Sequence, residues 1–232
     1  MTQLQHDEML SNQPKPNATG TLWILLTSSL GMAGSFTMAM FKEFLNNFKK
    51  ETDKVIVLGE KGYKFIVNNY GEDVVVKHLS LNEKPEDFIY IKYISKLVNK
   101  LFKNGNFKDV KIQYSKFKNS TSFAPHISQI LPIDEKSIEK SIAQSSSKMS
   151  VQSFLIEPSP INAYHHTMDM YLQSTIYAAF LETKLCEHLS RKNAMLEASA
   201  NEDTKMHDLK MAYNKKRQEK ITAEVSLLSL TL

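Results

Sequence analysis

Residues 21–36 read TLWILLTSSLGMAGSF, and residues 37–50 behind them read TMAMFKEFLNNFKK. Leu22 to Leu26 is an apolar run of the length of a buried strand. The later segment places Met40, Phe41, Phe44, Leu45 and Phe48 on one helical face. Strand, glycine turn and helix is the layout of a phosphate-binding loop, so the first question is whether this turn holds a nucleotide. Its residues argue against that. A phosphate loop needs Lys and then Ser or Thr directly after its last glycine, to reach phosphates and a magnesium ion. Here Gly34 is followed by Ser35 and Phe36. The dinucleotide pattern needs three glycines, and this turn has only Gly31 and Gly34. What remains is a tight strand-to-helix turn, which glycine suits because it tolerates positive φ.

Working outward, the alternation continues. Val55 to Leu58 reads as a second strand ended by Gly59, and Lys61 to Tyr70 as a short helix. Val74 to Val76 reads as a third strand. Asp87 to Phe102 is amphipathic, with Ile91, Ile94, Leu97, Val98 and Leu101 in step, and Asn104-Gly105 stops it. Val110, Ile112 and Tyr114 alternate in a fourth strand. Strands separated by helices predict an α/β fold, a mostly parallel sheet with helices on both faces. Ser120 to Ile133 reads as extended chain with turns at Pro125 and Pro132. The serine-rich stretch 137–150 reads as a mobile loop, and Phe154 to Ile156 as a further strand that stops at Pro158.

After Pro160 the character changes. From Ile161 to Leu232 there is neither Pro nor Gly, and Ala, Leu, Met, Glu and Lys dominate. This predicts one very long helix. At the α-helical rise it would reach roughly 105 Å, against about 35 Å for a compact domain of this chain length. The helix must therefore leave its domain and find burial elsewhere. Met206, Leu209 and Tyr213 form one apolar stripe; Ile221, Val225, Leu228 and Leu232 form another; Arg217 lies between them. Such stripes fit a coiled-coil seam or a socket in a partner. The expected organisation is an extended lead-in over 1–20, an α/β domain over 21–158 and a shaft helix over 159–232.

Composition agrees with a folded domain plus an extension. The chain has 232 residues, 42% of them hydrophobic, a net charge of +4 and a single cysteine, Cys186. One cysteine excludes an intrachain disulfide and points to a reducing compartment. The charge permits acidic partners without demanding nucleic acid. No apolar run approaches the roughly 18 residues of a membrane span, and the polar start MTQLQHDEMLSNQPKPNATG has no secretory pattern.

The segment 191–225, RKNAMLEASANEDTKMHDLKMAYNKKRQEKITAEV, is specific. It carries Arg191, Ala194, Met195, Ala198, Ser199 and Asn201, then Leu209, Tyr213, Asn214, Arg217, Gln218, Ile221, Thr222 and Glu224 in one unbroken register. That register resembles the C-terminal helix of gamma subunits of F-type ATP synthases, with its R-x-x-A-M-x-x-A-[ST]-x-N and L-x-x-x-Y-N-x-x-R-Q-x-x-I-T-x-E. TSSLGMAGSF is similar to a worn form of that family's T-S-D-R-G-L-C-G-G-[FLY]-N, with Ser29, Leu30 and Ser35 replacing Asp, Arg and Gly. VLGEKGYKF (57–65) and PHISQILPI (125–133) resemble two further family stretches. The resemblance covers about residues 21 to 232 and implies a Rossmann-like sheet that binds no nucleotide, which agrees with the missing Lys. It departs at two places. Family members begin with a long N-terminal helix that pairs with the C-terminal one, which leads to the expectation that this helix is absent, supplied by another chain or lost to a late start codon. The tail SLLSLTL (226–232) also differs from the family's small-residue ending.

The resemblance implies a central-stalk rotor shaft inside a hexameric ring of alpha- and beta-type ATPase subunits, with an epsilon-type subunit as a further partner at the α/β domain. It would couple ATP hydrolysis or synthesis to rotation and proton transport, in the cytoplasm at the inner face of the cell membrane, reaching the membrane only through the complex. It implies a beta-subunit contact surface of Arg191, Lys205, Arg217, Gln218, Thr222 and Glu224, and an apolar sleeve around Ile221, Val225, Leu228 and Leu232. Arg217 suits such a contact because its planar fork pairs with carboxylates. No cofactor, no metal and no catalytic residue is implied, so the chain would be a non-catalytic subunit.

Other readings compete at each site. Lys205, Lys210, Lys215, Lys216, Arg217 and Lys220 with Tyr213 among them could suit nucleic acid, but no recognition motif accompanies them. His165 and His166 diverge by about 100° on a helix, and His165 with Asp169 supplies too few ligands for a structural zinc site. Cys186 is expected in the packing of helix against domain. For the whole chain, the alternatives are the shaft of a diverged motor serving another process, such as gliding motility, and a Rossmann-like small-molecule-binding enzyme with its ligand at the carboxyl ends of the strands.

Overall fold

A computed structural model describes residues 18–33, 36–80, 87–133, 157 and 159–230. A sheet of five strands, β1 (Thr21–Leu26), β2 (Lys54–Leu58), β3 (Val75–Leu79), β4 (Asp109–Asn119) and β5 (Ser122–Leu131), runs in the order β3-β2-β1-β4-β5. The β1–β2, β2–β3 and β1–β4 pairs are parallel, and β5 returns antiparallel on β4. Helices α1 (Phe36–Asn47), α2 (Glu60–Tyr70) and α3 (Asp87–Lys103) fill the connections, and α4 runs from Pro160 to Leu230, 71 residues without a break.

The pleat explains the layers. Leu22, Ile24, Leu26, Ile56, Leu58, Val110 and Ile112 point to one face, where α3 and the first part of α4 cover them. Trp23, Leu25, Val55 and Val57 point to the other, against Phe44 of α1, Phe48 just beyond it and Ile66 of α2. Central parallel strands buried on both faces read as continuous apolar runs, and TLWILL and KVIVL do so. Asp53, 4% exposed, ties β1 to the chain before β2: its carboxylate accepts from the Thr21 and Lys49 amides and from the Trp23 indole N–H at 3.0 Å.

Some sequence expectations need correction. Pro125 is not at a turn; it lies within β5, paired with Ser115 of β4. β5 is an edge strand, where the missing N–H of proline is tolerated. The third strand starts at Val75 and runs to Leu79, because Glu72–Val74 forms a 3-10 turn first. Leu45 is half exposed, not part of the buried face of α1, and Phe36 and Thr37 take places there instead. The serine-rich stretch 137–150, the expected strand at 154–156 and most of the lead-in fall outside the described residues.

Helix α4 has two regimes. Met168, Leu172, Ile176, Ala179 and Phe180 are buried under the sheet, at spacings that keep them on one side. From Met195 to Ser226 every residue is exposed. The first part of α4 is therefore an element of the domain core, and the second projects from it.

Candidate functional site

Two surfaces of α4 are distinct in chemistry. The first lies where the helix passes the carboxyl end of β1, which in a ligand-binding sheet of this class is the mouth of the site. Here β4 overruns β1: its Gln113 is the last residue paired with β1, and it continues to Asn119. The helix packs into this place. Cys186, fully buried, sits with Ala33, Phe36 and Met40, as expected for a cysteine in helix-to-domain packing. Burial pushes its thiol pKa up. The Ser190 hydroxyl donates to the Ala33 carbonyl at 2.6 Å, and Arg191 Nε donates to the Gly31 carbonyl at 3.3 Å. Between those two carbonyls Met32 adopts φ 58°, in the left-handed region. On the β4 side, the Ser115 amide donates to Thr183 Oγ1, Cys186 Sγ donates to the Ser115 carbonyl, and the Phe117 amide donates to Glu182 Oε1 at 2.9 Å. Asn193 Nδ2 donates to the Ser120 carbonyl. The glycine turn thus serves as a seat for the helix, in line with its reading as structural; Gly34 and Ser35 lie outside the described residues.

A charged group is built into this junction. Glu187, 1% exposed, pairs through one oxygen with Lys184 at 3.0 Å and through the other with Arg191 at 2.7 Å. Arg191, expected at a partner surface, is engaged within the chain by Glu187 and Gly31.

The second surface is the projecting half. Lys205, Arg217, Gln218, Thr222 and Glu224 are all exposed there. Thr222 Oγ1 donates to the Gln218 carbonyl at 2.9 Å, and Lys220 forms a loose surface pair with Glu224 at 3.9 Å. Ile221 is 48% and Val225 60% exposed. Leu228 lies within the helix and Leu232 outside the described residues. On the helical repeat, Ile221, Val225 and Leu228 form one stripe. Arg217 and Glu224 border it on one side, Gln218 and Thr222 on the other. Lys205 lies on a different face. Met206, Leu209 and Tyr213 form their own stripe, about a quarter turn away.

Of the two adjacent histidines, His165 is engaged locally and His166 is exposed. His165 Nδ1 lies 3.2 Å from Lys103 Nζ, and Asp169 accepts from Asn99 Nδ2 at 2.6 Å, both across the α3–α4 seam. Among the described residues no group of three or more His, Cys, Asp and Glu is placed to hold a metal ion, and no helix is long and apolar enough to cross a membrane.

The junction at 182–193 escaped the sequence reading, although a signal was present. The buried stripe Met168, Leu172, Ile176, Ala179 continues in register as Thr183, Cys186 and Ser190. An apolar face that turns polar while keeping its period marks a helix leaving a core for hydrogen-bonding partners.

Comparison with known proteins agrees with this architecture. A family model described as ATP synthase matches residues 1–227. The ATP synthase gamma chain of Malacoplasma penetrans is 33% identical over 221 residues, which span 95% of this chain and 76% of that one. The gamma chain of Mycoplasmopsis pulmonis is 31% identical over 96% of this chain and 76% of its own length. Among solved structures, a chain of the Euglena gracilis mitochondrial ATP synthase OSCP/F1/c-ring assembly superposes with a TM-score of 0.70 at 17% identity, covering 100% of this chain and 80% of that one. A chain of the Tetrahymena thermophila mitochondrial ATP synthase central stalk/c-ring gives 0.62 at 21%, covering 83% and 82%. At these identities the structural matches speak for the fold.

Proposed function

The chain belongs to the gamma-chain family of ATP synthases, and from that premise we propose how its two surfaces divide the work of a central-stalk rotor. As such a rotor subunit it stands in the alpha/beta ring, within the peripheral F1 portion of a membrane-associated complex. Neither a special-purpose motor nor a small-molecule enzyme is needed to account for it. ATP hydrolysis or synthesis in the ring turns the shaft by changing which contacts are favourable, since a ligand shifts a conformational equilibrium only through differential affinity. The sheet domain passes the rotation toward the proton-transporting part and offers a surface to an epsilon-type subunit. In the cell the complex sits at the inner face of the cell membrane.

Arg217, Gln218, Thr222 and Glu224 meet a loop of a beta-type subunit, with Lys205 toward its acidic lever on another face. Ile221, Val225, Leu228 and Leu232 stand in an apolar sleeve formed by several ring subunits. The observation that carries this reading is the unbroken exposure of α4 from Met195 to Ser226. Apolar stripes left exposed along a projecting helix are surface that a partner would cover.

The test is Arg217→Ala with Gln218→Ala in the assembled complex. Each lost contact to a charged group is worth about 1.5–3 kcal/mol where it is buried. ATPase turnover should fall while circular dichroism of the isolated subunit stays unchanged. Unchanged turnover would reduce these residues to a solvated face. Affinity purification that recovers no alpha- or beta-type subunits would remove the assembly itself.

A further inference from the structure

We propose that residues 182–193 of α4 form a torsional lock between shaft and sheet domain, with Glu187 as its positioning residue. The proposal rests on the rotor reading, because only a rotor loads this junction in twist.

The chemistry of the junction is one-sided. Unlike the side-chain pairs of the α3–α4 seam, six hydrogen bonds of residues 182–193 each join a side chain of α4 to a main-chain atom of the domain: Glu182 to the Phe117 amide, Thr183 to the Ser115 amide, Cys186 to the Ser115 carbonyl, Ser190 to the Ala33 carbonyl, Arg191 to the Gly31 carbonyl and Asn193 to the Ser120 carbonyl. Main-chain atoms are the least deformable anchors that a domain offers. Apolar packing of the kind found at Leu172 and Ile176 is non-directional and opposes sliding weakly, whereas hydrogen bonds weaken steeply with angle.

The arrangement around the helix axis matters as much. On the helical repeat, Glu182 and Asn193 lie at one edge of the contact arc and Arg191 at the other, about half a turn apart. Thr183, Cys186 and Ser190 fall between them. A twist of the shaft in either sense therefore stretches bonds at one edge or the other. An arc gripped at a single edge would resist only one sense, and this junction is gripped at both.

Glu187 sets the Arg191 edge. It is nearly fully buried and holds the guanidinium at 2.7 Å, while its other oxygen takes Lys184 at 3.0 Å. Charge-assisted bonds of this kind fix a side chain in direction. A buried ion group is a poor choice for stability alone, since apolar side chains of similar volume often serve as well. Its use here is geometric, because it aims Arg191 Nε at the Gly31 carbonyl. Met32, in its left-handed conformation between two accepting carbonyls, is the domain-side half of the same fit.

The experiment has two arms. In the isolated full-length chain, spin labels on the exposed Lys64 of α2 and the exposed Lys205 of α4, each replaced by cysteine, report the distance distribution between domain and shaft. Cys186 is buried and does not compete for label. Glu187→Gln should broaden the distribution at least about twofold, and Glu187→Asp less, because it keeps the charge. In the purified complex with the ring immobilised and a bead on the cysteine at position 64, Glu187→Gln should widen the angular fluctuation of the bead in the pauses at limiting ATP. Unloaded ATPase turnover should stay within about twofold of the parent, since the ring contacts lie elsewhere on the helix.

A merely structural Glu187 would lower stability without this split. If Glu187→Gln fails to fold, Arg191→Lys keeps a cation for Glu187 but removes the Nε donor, and it should broaden the distance distribution in the same way. Unchanged distance and angular widths in folded variants would overturn the lock. A parent complex that hydrolyses ATP without turning the bead would instead overturn the rotor reading, and the distance measurement would still decide the lock.

Discussion

At Gly62 an added methyl carbon would lie 2.4 Å from the Thr27 hydroxyl oxygen, 2.9 Å from its methyl and 3.0 Å from a Val57 methyl. Thr27 cannot step aside, because its hydroxyl donates to the Leu58 carbonyl and accepts from the Gly62 amide at 3.1 Å, all of it buried. Gly62→Ala sets two terms against each other. Helix propensity in α2 favours Ala by roughly 0.5–1 kcal/mol, and overpacking at a fixed site costs about 1–3 kcal/mol. The second term wins, so urea unfolding of the isolated chain should show a net loss of about 1–2 kcal/mol; an equal or higher midpoint would show that Thr27 moves freely. This position also shows what single residues disclosed in advance. VLGEKGYKF was recognisable as a stretch, but its glycine mattered for a partner 35 residues earlier in the chain, a separation no local pattern encodes. Pro125 misled for the converse reason. Its turn propensity was real, and the edge position of β5, which makes it harmless in a strand, exists only once the sheet order is set.

At the scale of elements, α4 divides its leucines into two populations. Leu172 is fully buried against the sheet, and Leu209 is 71% exposed on the projecting half. Leu172→Ala should destabilise the isolated chain by about 2–5 kcal/mol, as buried leucine truncations do. Leu209→Ala should stay within about 0.5 kcal/mol there, and chemical denaturation of both variants side by side checks the contrast. Equal effects would mean that the projecting half folds back onto the domain in solution. The helix itself was legible, because a breaker-free run of that length admits few other readings. β1, β2 and α3 were legible from period and glycine punctuation. The lock was not, since its helix residues look like ordinary polar substitutions on an apolar stripe and their anchors are main-chain atoms, which carry no letter. The reading of Arg217 as a contact surface rests on resemblance alone, for nothing in its local chemistry distinguishes it from a solvated face.

For the whole molecule, the core sits at one end and the exposed apolar stripes at the other. Deleting residues 225–232 removes Val225, Leu228 and Leu232 and leaves the domain intact. Each such side chain contributes roughly 1.5–3 kcal/mol when fully buried in a partner. Native mass spectrometry should therefore show a reduced yield of complex, while circular dichroism of the truncated subunit shows a folded domain. Undiminished yield and ATPase rate would place the tip outside any sleeve. The one-sided junction has a further consequence, for descent. A lineage can replace Ser29 or Leu30 in the glycine turn without touching the atoms that α4 grips, because a carbonyl stays a carbonyl whatever side chain it carries. Changes at Glu182, Thr183, Glu187, Ser190 or Arg191 have no such freedom. The turn is thus the part of the junction able to drift, and the helix is where selection has a side chain to act on.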